Sequence, residues 1–182
     1  ALLSLMARLG SADPVELRAD IDELVAGFDI TRFGAAPTKF DERDLWPLTA
    51  RHLQSLDLAD VADDIAALGV PEALAPRFWA VTRENIATRA DLRAWWDMCR
   101  DGAAPVIDDE DRDFVARAMA LLPEPPYDDS TWAEWTARVK EATGRKGRGL
   151  FMPLRKALTG QSHGPEMAQL MPLLQKVPAR QA

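Results

Sequence analysis

The chain has 182 residues and a hydrophobic share of 47%, enough for one medium domain or two small ones with a buried core. Its one cysteine, Cys99, excludes an intrachain disulfide, and with only two histidines it falls short of the usual structural zinc sites, so a reducing, cytoplasmic setting is expected. A net charge of -7 at first argues against a nucleic-acid partner, and no apolar run approaches the roughly 20 residues that cross a bilayer.

The opening ALLSLMARLG is too short for a signal peptide and lacks the cleavage pattern; it reads as an amphipathic helix whose apolar face needs a partner. Because the chain opens inside that pattern without an initiator methionine, a piece of a longer protein is expected. SADPVEL offers Asp13 as N-cap, Pro14 at the first helical position and Glu16 as capping-box partner, which predicts a helix to about Gly27 with Leu17, Ile21, Leu24, Val25 and Phe28 on one face. A helix from near Asp41 carries Leu45, Leu48 and Leu53; the next carries Leu58, Val61, Ile65 and Leu68 and stops at Gly69. Pro71 opens another with Leu74, Phe78 and Val81, and DLRAWWDM adds Leu92, Trp95 and Trp96.

DGAAPVIDDED is rich in turn formers and acids and sets the expected domain boundary, dividing residues 1–103 from 104–182. Beyond it come a helix through Phe114, Met119 and Leu122, the proline turn PEPPYDD, and a helix capped by Thr131 with Glu134 that shows Trp132, Trp135 and Val139 before Gly144. Helices from about Pro153 to Thr159 and from Pro165 to Leu174 complete the chain. No run alternates with period two, so the expected fold is all-α in two helical subdomains, without repeats. The tryptophans share apolar helix faces and read as core rather than as base-stacking platforms.

No catalytic constellation emerges. His52 and His163 lack a nucleophile at a motif spacing, the acidic run from Asp108 to Asp113 lacks the glycine and terminal glutamate of a calcium loop, and GRKGRG fails the GxxxxGK[ST] order. No catalytic or metal-ligating residue is assigned. The acids are expected to favour a helix N-terminus instead. Charge is uneven, however: from Glu141 onward seven basic residues face two acids, leaving 15 basic and 27 acidic residues before that point. Such a segment suggests a polyanion-facing end. Within GRKGRG, Arg145, Lys146 and Arg148 can follow a phosphate backbone. Phe151, Leu154 and Leu158 are expected to bury against the tryptophan helix, leaving Arg155 directed to solvent as a planar fork. Gly160, Gly164 and Pro165 then shape either a surface for unstacked bases or simply the caps of two helices.

LFMPLRKALTGQSHGPEM resembles the closing signature of bacterial glutamyl-tRNA synthetases, and FGAAPTKFDERDLWPLTARHL resembles the stretch these enzymes carry after their ATP-binding lysine motif. The likeness spans essentially the whole chain in the family's order, without the HIGH and KMSKS signatures of the class I catalytic domain. It implies the α-helical anticodon-binding region, with Arg155, Gly164, Pro165 and Met167 against the anticodon bases. It also implies tRNA(Glu) as partner and a parent ligase that uses ATP and magnesium in the missing catalytic domain of the same polypeptide. This chain alone is then inactive and carries no cofactor. A cytoplasmic monomer is expected. Discriminating members place an arginine near VTRENIATRADL to exclude tRNA(Gln); gap-free matching puts Asn85 there, implying tolerance of tRNA(Gln), whereas a shift of two residues substitutes Arg83 and implies exclusion. The alternative reading is a helical protein-interaction module with no RNA binding.

Overall fold

Helices make nearly all the regular structure of the computed structural model, which describes residues 1–180. Among the described residues there is no strand, only an isolated antiparallel bridge between Ser11 and Phe33. The helices are α1 (Leu2–Met6), α2 (Ile21–Ala26), α3 (Leu45–Ser55), α4 (Leu58–Ala67), α5 (Ala75–Thr82), α6 (Arg89–Asp101), α7 (Arg112–Ala120), α8 (Thr131–Thr143), α9 (Arg148–Thr159) and α10 (Met167–Leu170), with short 3-10 turns between them. The all-α expectation holds. Among the described residues no helix is long and apolar enough to cross a membrane.

Contacts group the chain into two compact units, residues 1–61 with 86–91, and residues 62–85 with 92 onward. The 103/104 boundary read from the sequence lies inside the second unit. There the Val106 N–H donates to the Lys156 carbonyl at 3.2 Å, tying the acidic linker to α9.

In the first unit, the helix predicted from Pro14 begins only at Ile21. The Ser4 hydroxyl accepts the Arg18 N–H at 3.1 Å and donates to the Arg18 carbonyl at 3.3 Å, which holds the chain outside a helix at that point. Asp20, not Asp13, caps α2 by accepting the Asp22 N–H at 2.9 Å. Asp13 is drawn instead into ion pairs with Arg8, at 3.3 Å, and with Arg32. Of the predicted apolar face only Leu24 is buried; Ile21, Val25 and Phe28 remain 59%, 68% and 52% exposed. With Leu3 and Met6 they line an open apolar groove of about 450 Å³. Asp41 accepts the Arg43 N–H in the 3-10 turn that leads into α3, where Leu48 and Leu53 are buried as their spacing predicts.

In the second unit α7, α8 and α9 pack on one another and α10 lies against α8. Phe78 meets the edge of Trp96 at 5.6 Å, and the buried Trp135 donates its indole N–H to the Ala118 carbonyl at 2.8 Å, fastening α8 to α7. Core packing accounts for Trp79, Trp95, Trp96 and Trp135, while Trp46 of the first unit is 67% exposed. Burial pushes the Cys99 thiol up to about 12, so this sulfur packs rather than reacts.

The box expected between Thr131 and Glu134 forms instead between Asp128 and Thr131. One Asp128 carboxylate oxygen accepts from the N–H and hydroxyl groups of Ser130 and Thr131, while Thr131 Oγ1 accepts the Asp128 N–H at 2.9 Å. Hydrogen bonds from Thr131 and then Ser130 hold the Asp128 carboxyl below the ordinary value of 3.8. Because the folded value is lowered, the contribution to stability is present above 3.8 and lost as pH falls through the folded value. Asp128→Ala is therefore less resistant to urea than wild type at neutral pH, and the difference closes as pH drops below 3.8. A difference independent of pH in tryptophan-monitored unfolding would mean that another group caps α8.

Candidate nucleic-acid interface

α9 is two-sided. Leu150, Leu154, Ala157 and Leu158 are buried at 2% exposure or less, and Arg148, Phe151 and Arg155 run along the border of that face. The helix begins five residues before the expected Pro153 start, with the proline inside it. Pro153 has no N–H for the Gly149 carbonyl one turn back, a defect that ordinarily breaks a helix. Arg145 Nη1 donates to that carbonyl at 3.3 Å, supplying a substitute from the preceding loop.

The same Arg145 forms an ion pair with the buried Asp111 and lies 4.1 Å over the Phe114 ring. It is thus engaged within the protein rather than offered to a phosphate. Lys156 is held likewise, its Nζ 2.5 Å from an Asp108 carboxylate oxygen. Both acids come from the run that leads into α7, so part of the basic segment is neutralised by its own chain. Lys146 and Arg148 are exposed, and no ion pair of theirs occurs among the described residues.

The chain leaves α9 at Gly160, whose φ of +68° belongs to the left-handed region; a Cβ there would come within 2.8 Å of the Ala104 carbonyl. At Gly164, with φ +133°, an added Cβ would lie 2.8 Å from Trp95 Cη2 and 3.5 Å from Arg155 Nη1. Arg155 stands on the helix, half-buried, rather than on a turn facing solvent. Its Nη2 donates to the Pro165 carbonyl at 2.7 Å, and its Nη1 is buried without a hydrogen-bond partner. Burial pulls the guanidinium below its usual value. Pro165 and Met167 are buried. α10 starts at Met167 with Glu166 as its N-cap residue, so Pro165 precedes the helix instead of opening it.

The Trp95 indole N–H donates to the carbonyl of Asn85 at 3.3 Å. This one side chain therefore brings Gly164 and Arg155 beside the 3-10 turn Arg83–Asn85, where Asn85 is exposed and Arg83 half-buried. The structure gathers Arg155, Gly164, Pro165 and Asn85, places Lys146 and Arg148 at the far end of α9, buries Met167 and occupies Arg145. Two residues go unmarked by motif reasoning. Trp95 reads correctly as core, yet the hinge it makes depends on contacts distant in sequence. Phe151, expected to bury, is 45% exposed. No group of three or more His, Cys, Asp or Glu residues able to hold a metal ion occurs among the described residues. His52 and His163 are both exposed.

Residues 99–180 match the family model of the anticodon binding domain. The chain is 69% identical over 180 residues to glutamate–tRNA ligase 1 of Roseobacter denitrificans and 68% identical over 180 residues to glutamate–tRNA ligase 1 of Ruegeria pomeroyi. In each case the match covers 99% of this chain and 41% of the relative, so the chain spans about two fifths of the length of the curated relatives it matches. Its fold is like that of the glutamate-tRNA synthetase crystal structure from Elizabethkingia anophelis, with a TM-score of 0.68 over 98% of this chain and 38% of that one, at 19% identity.

Two stability outcomes follow from this geometry. Asp111→Asn and Arg145→Ala each lower the urea-unfolding free energy by about 1–3 kcal/mol, and the double substitution costs less than the sum, because each single change strands a partly buried partner. Strict additivity would show that the pair is not coupled. Gly164→Ala costs about 1 kcal/mol or more through backbone strain and displacement of Trp95; wild-type stability with an unshifted tryptophan spectrum would contradict the close approach.

Proposed function

We infer that this chain is the part of a glutamate–tRNA ligase that grips the anticodon loop of tRNA while bond formation takes place elsewhere in the same polypeptide. The observation that carries this reading is the coincidence of the anticodon-binding match, residues 99–180, with the segment where Arg155, Gly164 and Pro165 converge. A guanidinium fixed at one end by a carbonyl presents its plane in a set orientation, which suits a base edge better than a diffuse phosphate contact. Its second nitrogen, buried without an acceptor, carries a desolvation cost of about 1–3 kcal/mol. A base edge that reaches this nitrogen supplies the missing acceptor. Unstacked loop bases can offer their Watson–Crick edges, which an A-form duplex keeps paired.

The partner is tRNA(Glu). With Asn85 exposed beside Trp95 and Arg83 half-buried, acceptance of tRNA(Gln) as well is the reading the local sequence favours. Lys146 and Arg148 contribute phosphate contacts. Glutamate activation with ATP and magnesium belongs to the catalytic domain of the polypeptide, acting as a cytoplasmic monomer, and the apolar groove of the first unit faces protein supplied by that remainder. A protein-interaction module without RNA binding finds no support in the relatives.

Titration with a tRNA(Glu) anticodon stem-loop tests this. Arg155→Ala weakens binding by about 1–3 kcal/mol with a largely unchanged salt slope, as expected for loss of a base contact. Lys146→Ala or Arg148→Ala instead makes the dependence of log K on log salt shallower by roughly 0.7 per lost contact. Equal affinity of Arg155→Ala and wild type at moderate salt would remove the arginine from the interface.

A further inference from the structure

We propose that Phe151 is a stacking platform for an unpaired base of the bound loop, adjoining the base that Arg155 meets. The proposal rests on the anticodon-binding reading and adds a residue to that site. Beyond residue 46, the exposed large hydrophobic residues among those described are Val106, at 43%, and Phe151, at 45%. The leucines of α9 face inward, with Leu150, Leu154 and Leu158 at most 2% exposed, and Met152 is half-buried. An open phenylalanine in the middle of a well-packed helix is therefore a local exception.

It is also held firmly. Its ring centroid is 6.2 Å from that of the half-buried Trp132, tilted by 35°, and Trp132 meets the edge of the buried Trp135 at 5.6 Å. Trp135 in turn is pinned to α7 through the Ala118 carbonyl. A row of three rings thus runs from the core to the surface and ends in an aromatic side chain that needs little further ordering to receive a partner.

Its neighbours carry the right charge. Arg148 lies three residues before Phe151 and Arg155 four residues after, both on the same side of the helix, with Lys146 in the loop ahead. The four-residue step to Arg155 is about 6 Å of helix rise. Rings interleaved with cations are the surface that single-stranded nucleic acid uses, because every base has a π face while a purely apolar protein partner gains nothing from the flanking arginines. Two acids of this region, Asp108 and Asp111, are taken up by Lys156 and Arg145, while Glu110 lines the same cleft as Arg148 and the exposed Glu166 follows Pro165.

The experiment uses tRNA(Glu) anticodon stem-loops carrying 2-aminopurine at one loop position at a time. Binding to wild type quenches at least one position. Phe151→Leu keeps an apolar contact to Trp132 but has no π face; it binds roughly tenfold more weakly and loses that quenching, while Phe151→Trp retains both. If Phe151→Leu binds and quenches as wild type does, the stacking role is overturned and the anticodon reading stands. If wild type itself does not bind the stem-loop, both are overturned.

Discussion

One hydrogen bond, from Arg155 Nη2 to the Pro165 carbonyl at 2.7 Å, sets the form of the turn between α9 and α10. It joins the middle of α9 to the stretch that follows it, so the intervening residues must reverse direction within a few positions. That reversal needs two glycines at positive φ, Gly160 and Gly164. Gly164 can sit where it does only because it has no side chain to meet Trp95. Trp95 then reaches the Asn85 carbonyl, so a contact within one segment also fixes the position of another from far earlier in the chain.

Charge alone describes this end poorly. The basic excess after Glu141 looks like a broad cationic tail, yet Arg145 and Lys156 are committed to Asp111 and Asp108. Those acids perform two tasks at once, leading the chain into α7 and holding α9 in place. Arg145 in particular substitutes for the N–H that Pro153 lacks, which lets a helix continue through a proline. The cations left facing outward are few and set in a line with Phe151, a narrower arrangement than a polyanion-binding surface that works by charge density.

The sequence made the helices of the middle and end of the chain readable, because Leu48 and Leu53, Phe78 and Val81, and Trp135 and Val139 recur at helical spacing and are indeed buried. It misplaced starts where a distant side chain competes with a local rule. Asp13 and Pro14 meet every local condition for a helix start, but Ser4 holds Arg18 and Arg8 and Arg32 take Asp13. Pro153 reads as a first-turn proline because nothing near it in sequence announces that Arg145 will cover the orphaned carbonyl. The pull of Asp128 on Thr131 likewise outcompetes the expected Glu134. At the site, motif likeness pointed to Arg155 and Gly164, which the fold brings together, while the depth of Met167, the engagement of Arg145 and the exposure of Phe151 depend on packing that periodicity does not encode.

What unites these features is a helix whose inner side is locked and whose outer side is thereby presented in fixed geometry. The most direct measurement is a crystal structure of this chain with a tRNA(Glu) anticodon stem-loop. The account predicts splayed loop bases along the outward side of α9, with one base edge at Arg155. Density for the RNA on another surface, with that side of α9 left bare, would contradict it.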